Sequence, residues 1–126
     1  MTSHTIKVGK DFDIILARSR VRDLARDIGM STTDQARISL ATSAAARAIG
    51  LGAIRRGEIL VERLDGVDQI GIRVVCQVND SAQDNVAASK LNDAKMMTDE
   101  LTIERSPTND ILVTMIKRSK KRGDRG

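Results

Sequence analysis

Arginines are the residues best placed to do chemistry in this chain of 126 residues. Arg18 and Arg22 stand four apart in "DFDIILARSRVRDLARDIG". A helix would put both on one face, where two guanidinium forks could grip a carboxylate or a phosphorylated side chain. The same spacing suits a solvated face, with Arg22 and Arg26 paired to Asp23 and Asp27. Both readings stay open. Arg47 lies among alanines in "ATSAAARAIG" and either lines a pocket or covers a helix end. Other chemistries find less material. His4 has no second ligand or base near it, and Cys76, the one cysteine, sits inside an apolar run. It reads as a buried structural thiol and leaves no disulfide within the chain, which fits a reducing cytoplasm. Met96, Met97 and Met115 fall at packing positions and read as core filler.

The elements that must hold these residues follow from periodicity. Thr5 to Val8 alternates as a short strand does. From Asp11, Ile14, Ala17, Val21, Leu24 and Ile28 recur at helical spacing, and Gly29 follows as a C-terminal cap. Thr32 with Gln35 forms a capping-box pattern before a second helix with Ile38, Ala41, Ala45 and Ile49 on its buried side, ended by Gly50 and Gly52. "EILVERL" and "IGIRVVCQV" predict a hairpin, with Ile72, Val74, Cys76 and Val78 on one face. Ala87, Leu91, Ala94, Met97 and Leu101 keep helical spacing through a third helix. "LTIER" and "ILVTMI", around "SPTND", predict a second hairpin. This order is too irregular for a doubly wound parallel fold. It predicts an α/β (α+β) two-layer sandwich.

Composition narrows the function classes. One domain is expected from the length. Phe12 is the only aromatic residue, so the core is aliphatic and base stacking on aromatic platforms is excluded. Of the net charge of +4, the last ten residues, "KRSKKRGDRG", carry six Lys or Arg against one Asp. Residues 1–116 are therefore read as the domain, near neutrality, and 117–126 as a basic, disordered tail. That tail is a solvated terminus, a weak contact for acidic partners or nucleic acid, or a linker. The N-terminus "MTSHTIKVGK" has no apolar leader segment, and no apolar stretch approaches the ~20 residues of a membrane span. A soluble, cytoplasmic protein is expected.

The chain resembles the GHKL ATPase superfamily (the Bergerat fold), and within it the serine kinases and anti-sigma factors of bacterial partner switching, above all the stressosome switch kinase. "DFDIILARSRVRDLARDIGMSTTDQARIS", "ARAI", "GEILVERL", "GIRVV" and "LNDAKMMTDELTIERSP" carry the resemblance, with "DQARI" and "MTDELTIE" its most specific segments. It implies a Bergerat-type mixed, mainly antiparallel sheet with helices on one face.

In intact members, which use ATP and magnesium, the second helix carries a catalytic glutamate and a magnesium-binding asparagine. Those places fall here on Ala44 and Ala48. The family's adenine-reading aspartate falls on Val78, and its glycines fall on Asp80 and Ala82. The glycine-rich lid is replaced by "AASKLND", with no glycine between Gly71 and Gly123, and the last box by the apolar 111–113. A methyl group neither takes a proton nor holds a metal.

The resemblance therefore implies a pseudo-ATPase with no catalytic residue, no metal site and no cofactor. It would be a protein-binding regulator in a switch controlling a sigma factor or stress response. Its partners would be a STAS-domain antagonist, a sigma factor or a related phosphatase, with no membrane and no nucleic acid. Arg18, Arg22 and Arg47 are its candidate partner-binding residues. Homodimer formation stays open. The alternative is an active ATP-dependent serine/threonine kinase that phosphorylates a STAS-domain antagonist, with Asp80 and Lys90 as relocated ligands.

Overall fold

A computed structural model describes residues 3–53, 55–66, 69–79 and 88–119. Strand β1 (Ser3–Val8) leads into helices α1 (Asp11–Asp27) and α2 (Thr32–Ala48). Strands β2 (Gly57–Asp65) and β3 (Ile70–Val78) follow, then a 3-10 turn (Ala88–Leu91), helix α3 (Asn92–Met96), and strands β4 (Glu100–Arg105) and β5 (Ile111–Arg118). The expected element order holds. The sheet runs β1-β2-β3-β5-β4, and all four strand pairings are antiparallel, in keeping with the mainly antiparallel sheet expected. It is a two-layer α+β sandwich.

The two long helices form a hairpin with local causes at each end. Asp13 accepts from the Gly9 and Lys10 amides at 2.9 and 3.2 Å, which fixes the start of α1. At its end Met30 N–H donates to the Ala25 carbonyl and Gly29 N–H to that of Arg26, with Gly29 at φ 84. The end of α2 repeats this pattern on Leu51, Ala46, Gly50 and Arg47, with Gly50 at φ 77. Both are left-handed glycine caps that satisfy the last carbonyls. The start of α2 lies one residue earlier than the Thr32–Gln35 pattern predicts. Ser31 Oγ accepts from Asp34 N–H at 3.1 Å, while the Gln35 amide donates to the Met30 carbonyl at 2.9 Å.

The third helix departs most from expectation. It has five residues, and Leu101 belongs to β4. Thr98 Oγ1 donates back to the Ala94 carbonyl at 3.0 Å, closing the turn. Asp99 N–H then donates to the Ile116 carbonyl at 2.8 Å, drawing the chain into the sheet, where Thr102 and Ile103 favour extended backbone. Ala87 lies outside the described residues.

One side of the sheet meets the helices. Ile59, Val61, Ile72, Val74, Cys76, Val78, Ile111, Val113 and Met115 are buried there against Ile14, Val21, Ile38, Ala41 and Ala45. The core is aliphatic as expected, and Phe12 stands outside it at 56 % exposure.

The domain boundary moves as well. Lys117 and Arg118 belong to β5, and Ser119 N–H donates to the Ile70 carbonyl. The Lys117 ammonium, 11 % exposed, lies 3.6 Å from Asp34 and 3.8 Å from Asp99. The end of the sheet is thereby tied to the start of α2. Strand pairing and this near-buried charge cluster hold two residues that net charge alone assigned to a tail. Residues 120–126 lie outside the described residues.

Candidate functional site

Between α2 and α3 opens a cleft of about 400 Å³, lined by Leu40, Ser43, Ala44, Arg47, Asp93, Met96 and Met97. Helix α2 builds its wall because its alanines divide by face. Ala41, Ala45 and Ala46 are fully buried, while Ala44 is turned one position outward into the cleft. Ala48 follows one turn later, half-buried against the core. These are the places where the resemblance puts the catalytic base and the metal-binding amide.

The polar atoms of this wall are already engaged. Ser43 Oγ donates to the Leu40 carbonyl at 3.1 Å, and Thr42 Oγ1 donates to that of Ile38 at 2.8 Å. Arg47 lines the cleft, and its guanidinium lies 3.7 Å from Asp11 at the start of α1.

Among the described residues this cleft presents no ligand set for a magnesium ion. The described lining offers one carboxylate, Asp93, and no side chain free to act as a base on α2. A magnesium ion needs near-octahedral oxygen ligation. Among the described residues no three His, Cys, Asp or Glu converge. Val78 is a fully buried core residue at the end of β3, paired to Gly57 and Ile111. Lys90 is exposed in the 3-10 turn. Asp80 and Ala82 lie outside the described residues.

Arg18 and Arg22 do share the α1 edge beside α2. Arg18 Nε reaches Ser39 Oγ at 3.5 Å, while Arg22 is exposed and has no ion pair within 4.0 Å among the described residues. Of the expected pairs only Arg26 with Asp23 forms, at 3.0 Å.

Sequence reasoning missed the apolar residues around these arginines. Phe12, Ile15, Leu16, Leu40 and Met96 are all exposed on the helical layer. The signal was present, because Phe12, Ile15 and Leu16 repeat at three and four residues off the buried stripe of α1. Met96 corrects the reading of the methionines. It is 83 % exposed at the last position of α3, since the helix stops before its period can return the side chain inward. Met97 packs half-buried on the core, and Met115 is buried.

His4 is exposed on β1. Cys76 is free and buried, and burial alone pushes its thiol up to about 12 from an ordinary value near 9. The unfolded thiol loses its proton at lower pH than the folded one. Cys76 therefore supports the fold below pH ~9 and gives up ~1.4 kcal/mol per pH unit as pH rises toward 12. Comparing urea midpoints of the wild type and Cys76→Ala between pH 8 and 10.5 should show the wild type losing more. Equal losses would mean that the thiol ionises in place.

No protein-family model matches the chain. In sequence it is similar to serine/threonine-protein kinase RsbT of Bacillus subtilis (strain 168), 33% identical over 72 residues. That segment is 57% of this chain and spans about half, 53%, of the relative's length. In structure it is similar to a chain in the crystal structure of the SiaB–SiaC complex from Pseudomonas aeruginosa, with a TM-score of 0.56. That likeness covers 91% of this chain and 89% of the other at 9% identity, and it shows a shared fold. The resemblance to a partner-switching serine kinase is thus borne out at a distance, in half the sequence and in the fold. No helix among the described residues is long and apolar enough to cross a membrane.

Proposed function

We propose that this protein is a non-catalytic binding module of a partner-switching system, a pseudo-ATPase that acts by association. The observation that carries the reading is the methyl group of Ala44 in the cleft wall, with Ala48 one turn behind, where a kinase of this kind needs a base and a metal ligand. The similarity to a serine/threonine kinase and to a member of a two-protein complex supports it. Docking needs surface and packing, which the chain has kept. Folding and binding do not require the phosphate-handling groups.

The binding surface is the outer side of α1 and α2. Phe12, Ile15, Leu16 and Leu40 supply apolar area, and Arg18, Arg22 and Arg47 supply charge at its edges. A STAS-domain antagonist, a sigma factor or a related phosphatase with apolar residues flanked by carboxylates would complement it. Such a module shifts a regulatory equilibrium by mass action alone, sequestering one partner until a competitor takes its place.

Calorimetry with Mg–ATP tests the chemistry. No heat at millimolar nucleotide is expected, and micromolar binding would restore the kinase reading. Titration against those three partner classes tests the surface. Arg22→Glu should weaken the bound partner about ten-fold or more, with the loss shrinking at high salt. An unchanged affinity would move the interface away from α1.

A further inference from the structure

Two stripes at helical spacing line the cleft between α2 and α3. Helix α2 contributes Leu40, Ser43, Ala44 and Arg47, and α3 contributes Asp93, Met96 and Met97. Most of the lining is therefore methyl, isobutyl and thioether. Each stripe carries one charge, of opposite sign, and no ion pair within 4.0 Å joins Arg47 to Asp93. Asp93 is exposed, and its carboxylate has neither an ion pair nor a hydrogen bond among the described residues. Arg47 has only Asp11, at 3.7 Å between two exposed side chains, a contact of little worth in water. Ser43 Oγ donates its proton to the Leu40 carbonyl and keeps its lone pairs free to accept.

We infer that this cleft binds a free α-amino acid with an aliphatic side chain. Three observations select that class of ligand. The first is charge. A carboxylate brought to Arg47 and an ammonium brought to Asp93 and Ser43 satisfy both walls at once. A simple anion would leave Asp93 bare, and a simple amine would leave Arg47 on its weak contact. The second is lining. Leu40, Ala44, Met96 and Met97 favour an aliphatic group, and the two flexible thioethers can follow its shape.

The third is size. A volume of about 400 Å³ stands near the lower end of small-molecule sites, roughly 300–1,000 Å³. Leu40 and Arg47 are seven residues apart on α2, which sets a length of about 10 Å. That exceeds the length of leucine and falls well short of an extended nucleoside triphosphate. Polar groups at the charged walls would fix the orientation of the head, and the apolar remainder would select the side chain. The inference concerns the chain alone and does not rest on any protein partner.

Methyl NMR of the full chain, labelled with carbon-13 at the methionine methyls, tests it with L-leucine as the probe. The chain has five methionines, two of them in the cleft. The Met96 and Met97 signals, identified from Met96→Leu and Met97→Leu, should move and saturate by about 5 mM. Those of Met30 and Met115, in the core, should hold still. Isocaproate, which lacks the ammonium, and isoamylamine, which lacks the carboxylate, should each bind about ten-fold or more weakly than leucine. Ala44→Leu should fill the cleft and abolish the response. Asp93→Asn should weaken leucine about ten-fold, and it decides the matter if Ala44→Leu does not fold, because the exposed, unbonded Asp93 holds nothing in place. Signals that stay put at about 20 mM leucine overturn the inference. So do equal affinities for the three probes, or a response that survives both substitutions.

Discussion

Gly57→Ala should lower the thermal midpoint by about 10 °C or more, a larger effect than any surface substitution in the sheet. A Cβ on Gly57 would stand 1.8 Å from the Gln77 carbonyl oxygen and 3.0 Å from the Leu51 side chain. The first is backbone in the partner strand and cannot rotate away. The second is almost fully buried. Relief requires the start of β2 to leave β3, breaking the Gly57–Val78 pairing on one side and Val8–Gly57 on the other. Overpacking of this kind costs about 3 kcal/mol, against a typical total of 5–15 kcal/mol. Circular dichroism of the melt decides it. A midpoint within ~3 °C of wild type would mean that the start of β2 frays freely and contributes little to the fold.

Adjacent alanines on α2 should respond in opposite ways. Ala45→Leu places three extra carbons at a fully buried position beneath the sheet and should cost about 3 kcal/mol. Ala44→Leu points the same carbons into the cleft beside Leu40 and Met97 and should change stability by less than ~0.5 kcal/mol. Urea unfolding of the pair measures the rotation of α2 directly. Equal costs would mean that the helix is rotated about its axis, with both alanines turned toward the core. Ala44 would then no longer be the residue facing the cleft, and the reading of the lost catalytic position would fall with it.

That rotation was legible in the sequence because Ile38, Ala41, Ala45 and Ile49 mark a buried stripe whatever lies around it. The strands were legible for the same reason. Val74, Cys76 and Val78 alternate with residues of a different burial, and the structure puts them on the helical side. What failed was governed by tertiary pairing. Leu101 kept helical spacing, yet a ladder with β5 claimed it, and α3 ended at Met96. Lys117 looked like a tail residue because charge was counted along the chain, while Asp34 and Asp99 meet it only in the fold.

The site divides along the same line. The methyl groups of Ala44 and Ala48 follow from the sequence once α2 is oriented. The cleft that Ala44 borders, with Asp93 and Met96 across from α2, depends on where a five-residue helix stops. No periodicity encodes that stop. The unpartnered state of Arg22 was legible in the spacing, since Arg18, Ser19, Ala25 and Arg26 stand three and four positions from it and none is acidic, while Asp23 falls to Arg26.

A core of branched aliphatics and alanine, with the single phenylalanine outside it, makes the molecule optically dark. It holds no tryptophan or tyrosine, so it neither fluoresces under ordinary excitation nor absorbs usefully at the usual protein band. Every photon collected from a mixture with a partner therefore comes from the partner. A single tryptophan placed at Leu40 or Leu60 would report one surface of this protein against no background. The helical layer and the open face of the sheet could then be watched separately in the same assembly.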